Sequence, residues 1–286
     1  MSQVNVLDRY YLSLTLLVTL AYQAIGFTIA FTLKFDKITD FMGGSNFVIL
    51  SILTLSLAST APQGLDARQI IASLFMIMWA TRLAGWLLFR ILKTEKDDRF
   101  DDKRDDFVKF GGFWVAQMVW VWTVSLPVTI LNSPAVQRYG RGHGLGACEG
   151  VGIVMWAVGM GFEVVSDIQK FRFRSNRSNQ GAVCDVGLFS ISRHPNYFGE
   201  MCLQFGIYLV ALGPTAYHTV SVGSGTAAAQ VASIVGPFLL CTLLLFVSGM
   251  NLQERPGAKK RYEKDGPHGQ QWLRYRRWLK TQAFWF

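Results

Sequence analysis

The sequence predicts an all-α, multi-pass membrane protein of about seven transmembrane helices, and three observations carry that prediction. Of its 286 residues, 51% are hydrophobic and 16% charged, with a mean hydropathy of +0.26, too apolar for an ordinary soluble domain. Apolar runs of spanning length recur around 10–33, 70–92, 111–131, 151–165, 197–212 and 227–250, with a shorter run at 47–61 as the seventh. Charge is unevenly divided between the connecting segments. With seven spans, the loops at 34–46, 93–110 and 168–194, the tail after 250 and Arg90 together hold 23 of the 28 Lys and Arg residues. That bias fits the positive-inside rule and predicts a cytoplasmic C-terminus.

The net charge of +9 is therefore a topology signal, and nothing in the sequence calls for nucleic acid or an obligate protein partner. Cys148, Cys184, Cys202 and Cys241 form no CxxC pair and no metal-ligand spacing, so reduced, packed thiols are expected and no metal site is predicted. The N-terminus lacks a basic region followed by a small-residue cleavage site, so the first run reads as a retained span.

Taken in order, the first two spans read as wall. Their polar residues are mainly Ser13, Thr15, Thr19, Ser51, Thr54 and Ser56, which can bond back to their own helix. The third carries Arg82 near mid-span, where a cation costs at least a few kcal/mol and so calls for an internal carboxylate, an anionic ligand or a wet cavity. The run EKDDRFDDKRDDFVK that follows nearly cancels its charges and reads as a solvated loop. The fourth span carries Trp114, Trp120 and Trp122, and Pro127 is expected to kink it near its far end.

A turn-rich loop then separates an N-terminal part, 1–147, from a C-terminal part, 148–286, in which the polar residues collect. On the fifth span Glu163, Asp167, Lys170 and Arg174 follow at intervals of four, three and four, sharing one helical face. They form either a chain of weak intrahelical ion pairs or one wall of a site. The sixth span opens with SRHPNYFGE, Ser192 to Glu200. His194-Pro195 there can serve as a helix cap. Asn196, Glu200, Gln204 and Tyr208 recur every four residues as a polar stripe on a greasy helix, and an ionisable group a turn inside such a run usually faces a cavity or a partner. Arg172, Arg174, Arg177 and Arg193 offer planar forks suited to phosphates. Past the seventh span, Glu254 begins a tail in which Tyr262, Tyr275 and Trp278 alternate with Arg261, Arg274, Arg276 and Arg277. The tail suits either anionic headgroups or a flat, charged nucleotide.

SRHPNYFGE, the upstream SDIQKFRFRSN and CDVGLF, and the tail pattern Glu, Lys-Lys-Arg-Tyr, Tyr-Arg-Arg-Trp resemble the steroid 5-alpha reductase C-terminal domain family, over roughly Ala67 to the end. A looser Arg-His-Pro-x-Tyr motif is similar to that of sterol double-bond reductases and of the isoprenylcysteine and phospholipid methyltransferases. The resemblance implies a steroid-reductase-like bundle with an NADPH site on the cytoplasmic side of the last spans, in the endoplasmic reticulum of a eukaryote or the inner membrane of a bacterium. By motif position it implies cofactor contacts at Asp167, Arg174 and Asn196, with Glu200 in the same helix, and approximately at Arg261 and Tyr262; Arg193 and His194 match the sterol-reductase-like members. Glu163, Lys170 and Glu254 complete the expected cofactor set. The steroid reductases use a second-span glutamate and a third-span tyrosine on the substrate carbonyl. This chain has no second-span carboxylate, and its third span offers Arg82 and tryptophans.

The expectation is an NADPH-dependent reductase of a carbon–carbon double bond in a sterol-, polyprenyl- or fatty-enone-like lipid drawn from the bilayer, with Glu200, Tyr197 or a group around Arg82 as proton donor. The alternatives are an S-adenosylmethionine-dependent membrane methyltransferase, because His194-Pro195-x-Tyr197 and Glu254 also occur there, and a non-catalytic seven-span scaffold or sensor.

Overall fold

The computed structural model describes residues 6–62, 64–94, 105–137, 144–179, 182–216, 223–247 and 269–281, and among them it is helical with no strand. The helices are α1 (Leu12–Thr32), α2 (Thr39–Ser59), α3 (Ala67–Thr94), α4 (Phe107–Val124), α5 (Leu126–Leu131), α6 (Pro134–Gln137), α7 (Ala147–Ser175), α8 (Pro195–Ala216), α9 (Ser224–Ala232), α10 (Val235–Thr242) and α11 (Gln270–Thr281). Among the described residues, five segments are long and apolar enough to cross a membrane: Leu12–Thr32, Asp36–Ser59, Ala67–Arg90, Ala147–Ser175 and Ser224–Val247. The other two expected spans are helical but fall outside that set. One, α8, carries the polar stripe; the other is split at Ser125 into α4 and α5, with Pro127 in the first turn of α5, where its missing N–H costs nothing.

The pattern of burial is inverted relative to a soluble bundle. On α1 the buried positions are Thr15, Thr19, Gln23, Gly26 and Ala30, a stripe of small and polar residues, while Leu16, Leu17, Leu20, Ile25 and Ile29 are exposed. Water would penalise that arrangement, whereas hydrocarbon favours it. Together with the spanning helices, it marks a multi-pass membrane protein.

The chain divides into two compact units. Unit 1 comprises 1–153 and 207–239; unit 2 comprises 154–206 and 240–286. In unit 1, α2 packs along α3, and α1 lies against α2 and α4. Asp8 starts α1 by accepting from the amides of Leu12 (3.1 Å) and Ser13 (2.7 Å), and Asp106 caps α4 through the amides of Val108 and Lys109. Phe47 is wedged between Trp79 and Trp120, with centroids at 5.1 and 4.9 Å.

The first spans are less inert than their composition implies. Thr15 and Thr54 do bond back to Tyr11 and Leu50 carbonyls. Buried Gln23, however, donates to Asn46 Oδ1 (3.1 Å), and Gln117 donates to Gln23 Oε1 (2.9 Å), tying α1, α2 and α4 together. Asn132 likewise donates to Thr54 and Ser73. Arg68 is 4% exposed; its Nε donates to the fully buried Glu149 carboxylate and its Nη2 to the Gly144 carbonyl at 3.0 Å. The second Glu149 oxygen accepts from the Gly146 amide at 2.9 Å.

Candidate functional site

The site belongs to unit 2 and begins with a close crossing of α7 and α8. A Cβ on Gly159 would meet the Gly199 carbonyl oxygen at 2.5 Å and the Leu203 amide at 2.6 Å; a Cβ on Gly199 would meet the Gly159 carbonyl oxygen at 2.6 Å and the Glu163 amide at 2.8 Å. Only two glycines facing each other let the backbones come this near. One consequence is that Glu163, 3% exposed, lies against the turn carrying Asn196 and Glu200. Phe162 and Phe198 flank the crossing edge to face at 5.3 Å.

Further along α7 the connecting loop folds back onto the helix. Gln169 Oε1 accepts from the Leu188 amide at 2.9 Å, and Lys170 Nζ sits 5.6 Å from the centre of the Phe189 ring. Gly187, at φ 57°, fills a left-handed position where any Cβ would also strike the Gln169 side chain. This seating carries the chain into Ser192, whose Oγ accepts from the His194 amide at 3.3 Å, and so into α8 with Pro195 as its first residue.

His194 and Tyr197 are buried and stack in parallel, with centroids 4.9 Å apart and planes 7° apart. Asn196 is half-buried, and its Oδ1 is sealed from solvent with no hydrogen-bond partner among the described residues. Glu200 and Asp167 are half-buried, Arg193 is half-buried ahead of α8, and Arg174 is exposed near the end of α7. Glu163 therefore comes together with the Asn196–Glu200 turn, and Lys170 with the loop that leads to it. Arg82 lies half-buried on α3 and belongs to unit 1, whereas Glu200 and Tyr197 belong to unit 2. Glu254, Arg261 and Tyr262 lie outside the described residues.

The α11 helix forms a second wall of unit 2. Tyr275 and Trp278 are buried with Val183 and stack on each other at 5.8 Å, and Trp278 also lines the cavity of this unit. Arg274 makes a two-pronged ion pair with Asp185, its Nε at 2.5 Å from Oδ2, and lies over the Phe173 ring. A cavity of about 880 Å³ opens between the loop and α11, lined by Ser178, Asp185, Ser190, Gln270, Arg274 and Arg277 among others. Its volume is in the range of small-molecule sites. The alternation of Arg with Tyr and Trp in the tail was visible in the sequence; the pairing of Arg274 with Asp185 was not, because 89 positions separate them.

A family model described as "Protein of unknown function (DUF1295)" matches residues 26–269. The chain belongs to this family. It is also similar to the "Probable O-methyltransferase ustE" of Ustilaginoidea virens, 37% identical over 62 residues; the match covers 22% of this chain and only 22% of the length of that relative. No solved structure matches the chain.

Proposed function

We propose that this DUF1295 member is an integral membrane oxidoreductase that uses NADPH to reduce a carbon–carbon double bond in a lipidic, sterol-, polyprenyl- or fatty-enone-like substrate. The observation that carries this reading is the α7–α8 crossing, which sets Glu163 against the Asn196–Glu200 turn and leaves the Asn196 amide oxygen buried and unbonded. Such an acceptor fits a carboxamide N–H, because leaving it unmade costs about 1–3 kcal/mol. The cavity of the same unit that bears Arg274 and Arg277 fits a phosphate-rich cofactor better than S-adenosylmethionine, which carries no phosphate.

NADPH, when bound, supplies the hydride. The residues of this chain do the rest. Asn196 would orient the carboxamide, Arg174, Arg193, Lys170 and Arg277 would hold the phosphates, and Glu200, the half-buried carboxyl one turn from Asn196, would deliver the proton. Asp167 and Glu163 would complete the cofactor-binding set on α7. The likeness to the steroid 5-alpha reductase C-terminal domain family supports the same assignment. A methyltransferase is the second reading, favoured by the short match to ustE.

Titration of purified, nanodisc-embedded protein with both cofactors tests the choice. Saturable NADPH binding is expected, weakened in Asn196→Ala and Arg174→Ala and unaltered in Ser13→Ala. Saturable S-adenosylmethionine binding without NADPH binding reverses the ranking, and unchanged NADPH affinity in both site variants removes the assignment of the pocket.

A further inference from the structure

The helix α11 is seated on the end of a spanning helix. Arg274 lies over the ring of Phe173 at 5.5 Å, and Tyr275 and Trp278 are buried with Val183, with Trp272 packed against them. Phe173 belongs to the last turn of α7, a helix of 29 residues and therefore about 43 Å long. That exceeds a hydrocarbon core of about 30 Å, so the terminus of α7 and the helix on it stand at the level of the lipid headgroups.

Opposite the inward positions 272, 275 and 278, the helical register sets Leu273, Arg276 and Arg277 on one outward face. Leu273 is 41% exposed, and both arginines are exposed. The twelve positions of α11 include Arg274, Arg276, Arg277 and Lys280 and no acidic residue. In the last turn of α7, Arg172 is exposed as well. Arg274 is paired with Asp185, and Arg277 lines the cavity; neither role falls to Arg172 or Arg276. Exposed guanidinium groups beside an exposed leucine, on a helix whose inner face is aromatic, make up the composition of a helix that lies in a membrane interface. The surface at hand there is a bilayer, and anionic phospholipid carries the complementary charge.

We propose that Arg172 and Arg276 hold the phosphates of anionic phospholipids, with Leu273 at the acyl boundary, so that an anionic lipid surface fastens α11 onto the end of α7. Because α11 is one wall of the cavity, lipid that holds the helix also holds that wall.

The test follows amide hydrogen exchange across Gln270–Thr281 in the full chain, without cofactor, in nanodiscs of phosphatidylcholine and of an equimolar mixture with phosphatidylglycerol. A basic residue at an anionic surface shifts an equilibrium about fivefold, so exchange in α11 is expected to slow by about that factor per arginine in the anionic discs. The double variant Arg172→Gln with Arg276→Gln should lose most of the difference, and high salt should erase it in wild type. Lys109→Gln, which removes an exposed cation from α4 in unit 1, should leave it intact. In phosphatidylcholine discs the double variant is expected to melt with wild type; a lower melting temperature there makes the two arginines parts of the packing and overturns the proposal. Equal exchange of wild type in both kinds of disc, or a difference that persists in the double variant, overturns it as well. Equal slowing by inorganic phosphate in phosphatidylcholine discs would make this a site for a soluble anion and not for lipid.

Discussion

Gly159→Ala puts the geometry of the site under direct test. The added Cβ would stand 2.5 Å from the Gly199 carbonyl oxygen, and reaching an ordinary contact of 3.4 Å requires the two helices to part by about 0.9 Å. The obstacles are backbone atoms of α8, so no side-chain rotation relieves them. Overpacking of this kind costs about 1–3 kcal/mol, against a gain of up to about 1 kcal/mol from replacing glycine inside a helix. A displacement near 1 Å between Glu163 and the Asn196–Glu200 turn costs about a hundredfold in a reaction that depends on their alignment. Gly161→Ala is the matched control, because a Cβ there meets nothing within 4 Å and only the helix gain remains. Thermal melting in nanodiscs together with NADPH titration reads both effects. Gly159→Ala should melt below Gly161→Ala and bind NADPH at least tenfold more weakly than wild type. If it melts with Gly161→Ala and binds as wild type does, the crossing does not organise the site.

Three further outcomes follow from the same structure. Arg68→Met leaves the Glu149 carboxylate buried without its cation and should cost about 3–5 kcal/mol, whereas the double variant with Glu149→Leu should recover most of it; thermal melting of the single and double variants decides, and a wild-type-like Arg68→Met refutes the pair. Arg274→Ala removes the prongs on Asp185 and should speed proteolytic cutting ahead of α11, an effect that high salt should reproduce in wild type; equal cutting rates would mean that α11 is held by Tyr275 and Trp278 alone. Burial raises the pKa of Asp8, but the amides of Ser13, Tyr10 and Leu12 outweigh it and leave it below the usual carboxylate value. Its contribution is therefore present above an unfolded pKa of about 3.9 and lost as pH falls through the lower folded value. Asp8→Asn should melt below wild type at neutral pH, and the gap should close under acid; a constant gap would remove the charge from the cap.

Sequence alone determined that the chain is helical and lies in a membrane, and it drew attention to the polar residues between Glu163 and Glu200. Those properties follow from composition and from spacing along a single helix, both local. The run at SRHPNYFGE announced Asn196 and Glu200 because a polar stripe in an apolar segment is costly wherever it lies. Tertiary structure decided what faces what. The pairing of Gly159 with Gly199, of Arg68 with Glu149 and of Arg274 with Asp185 depends on backbones brought together across tens of residues, and glycine carries no sign of such an approach in a sequence.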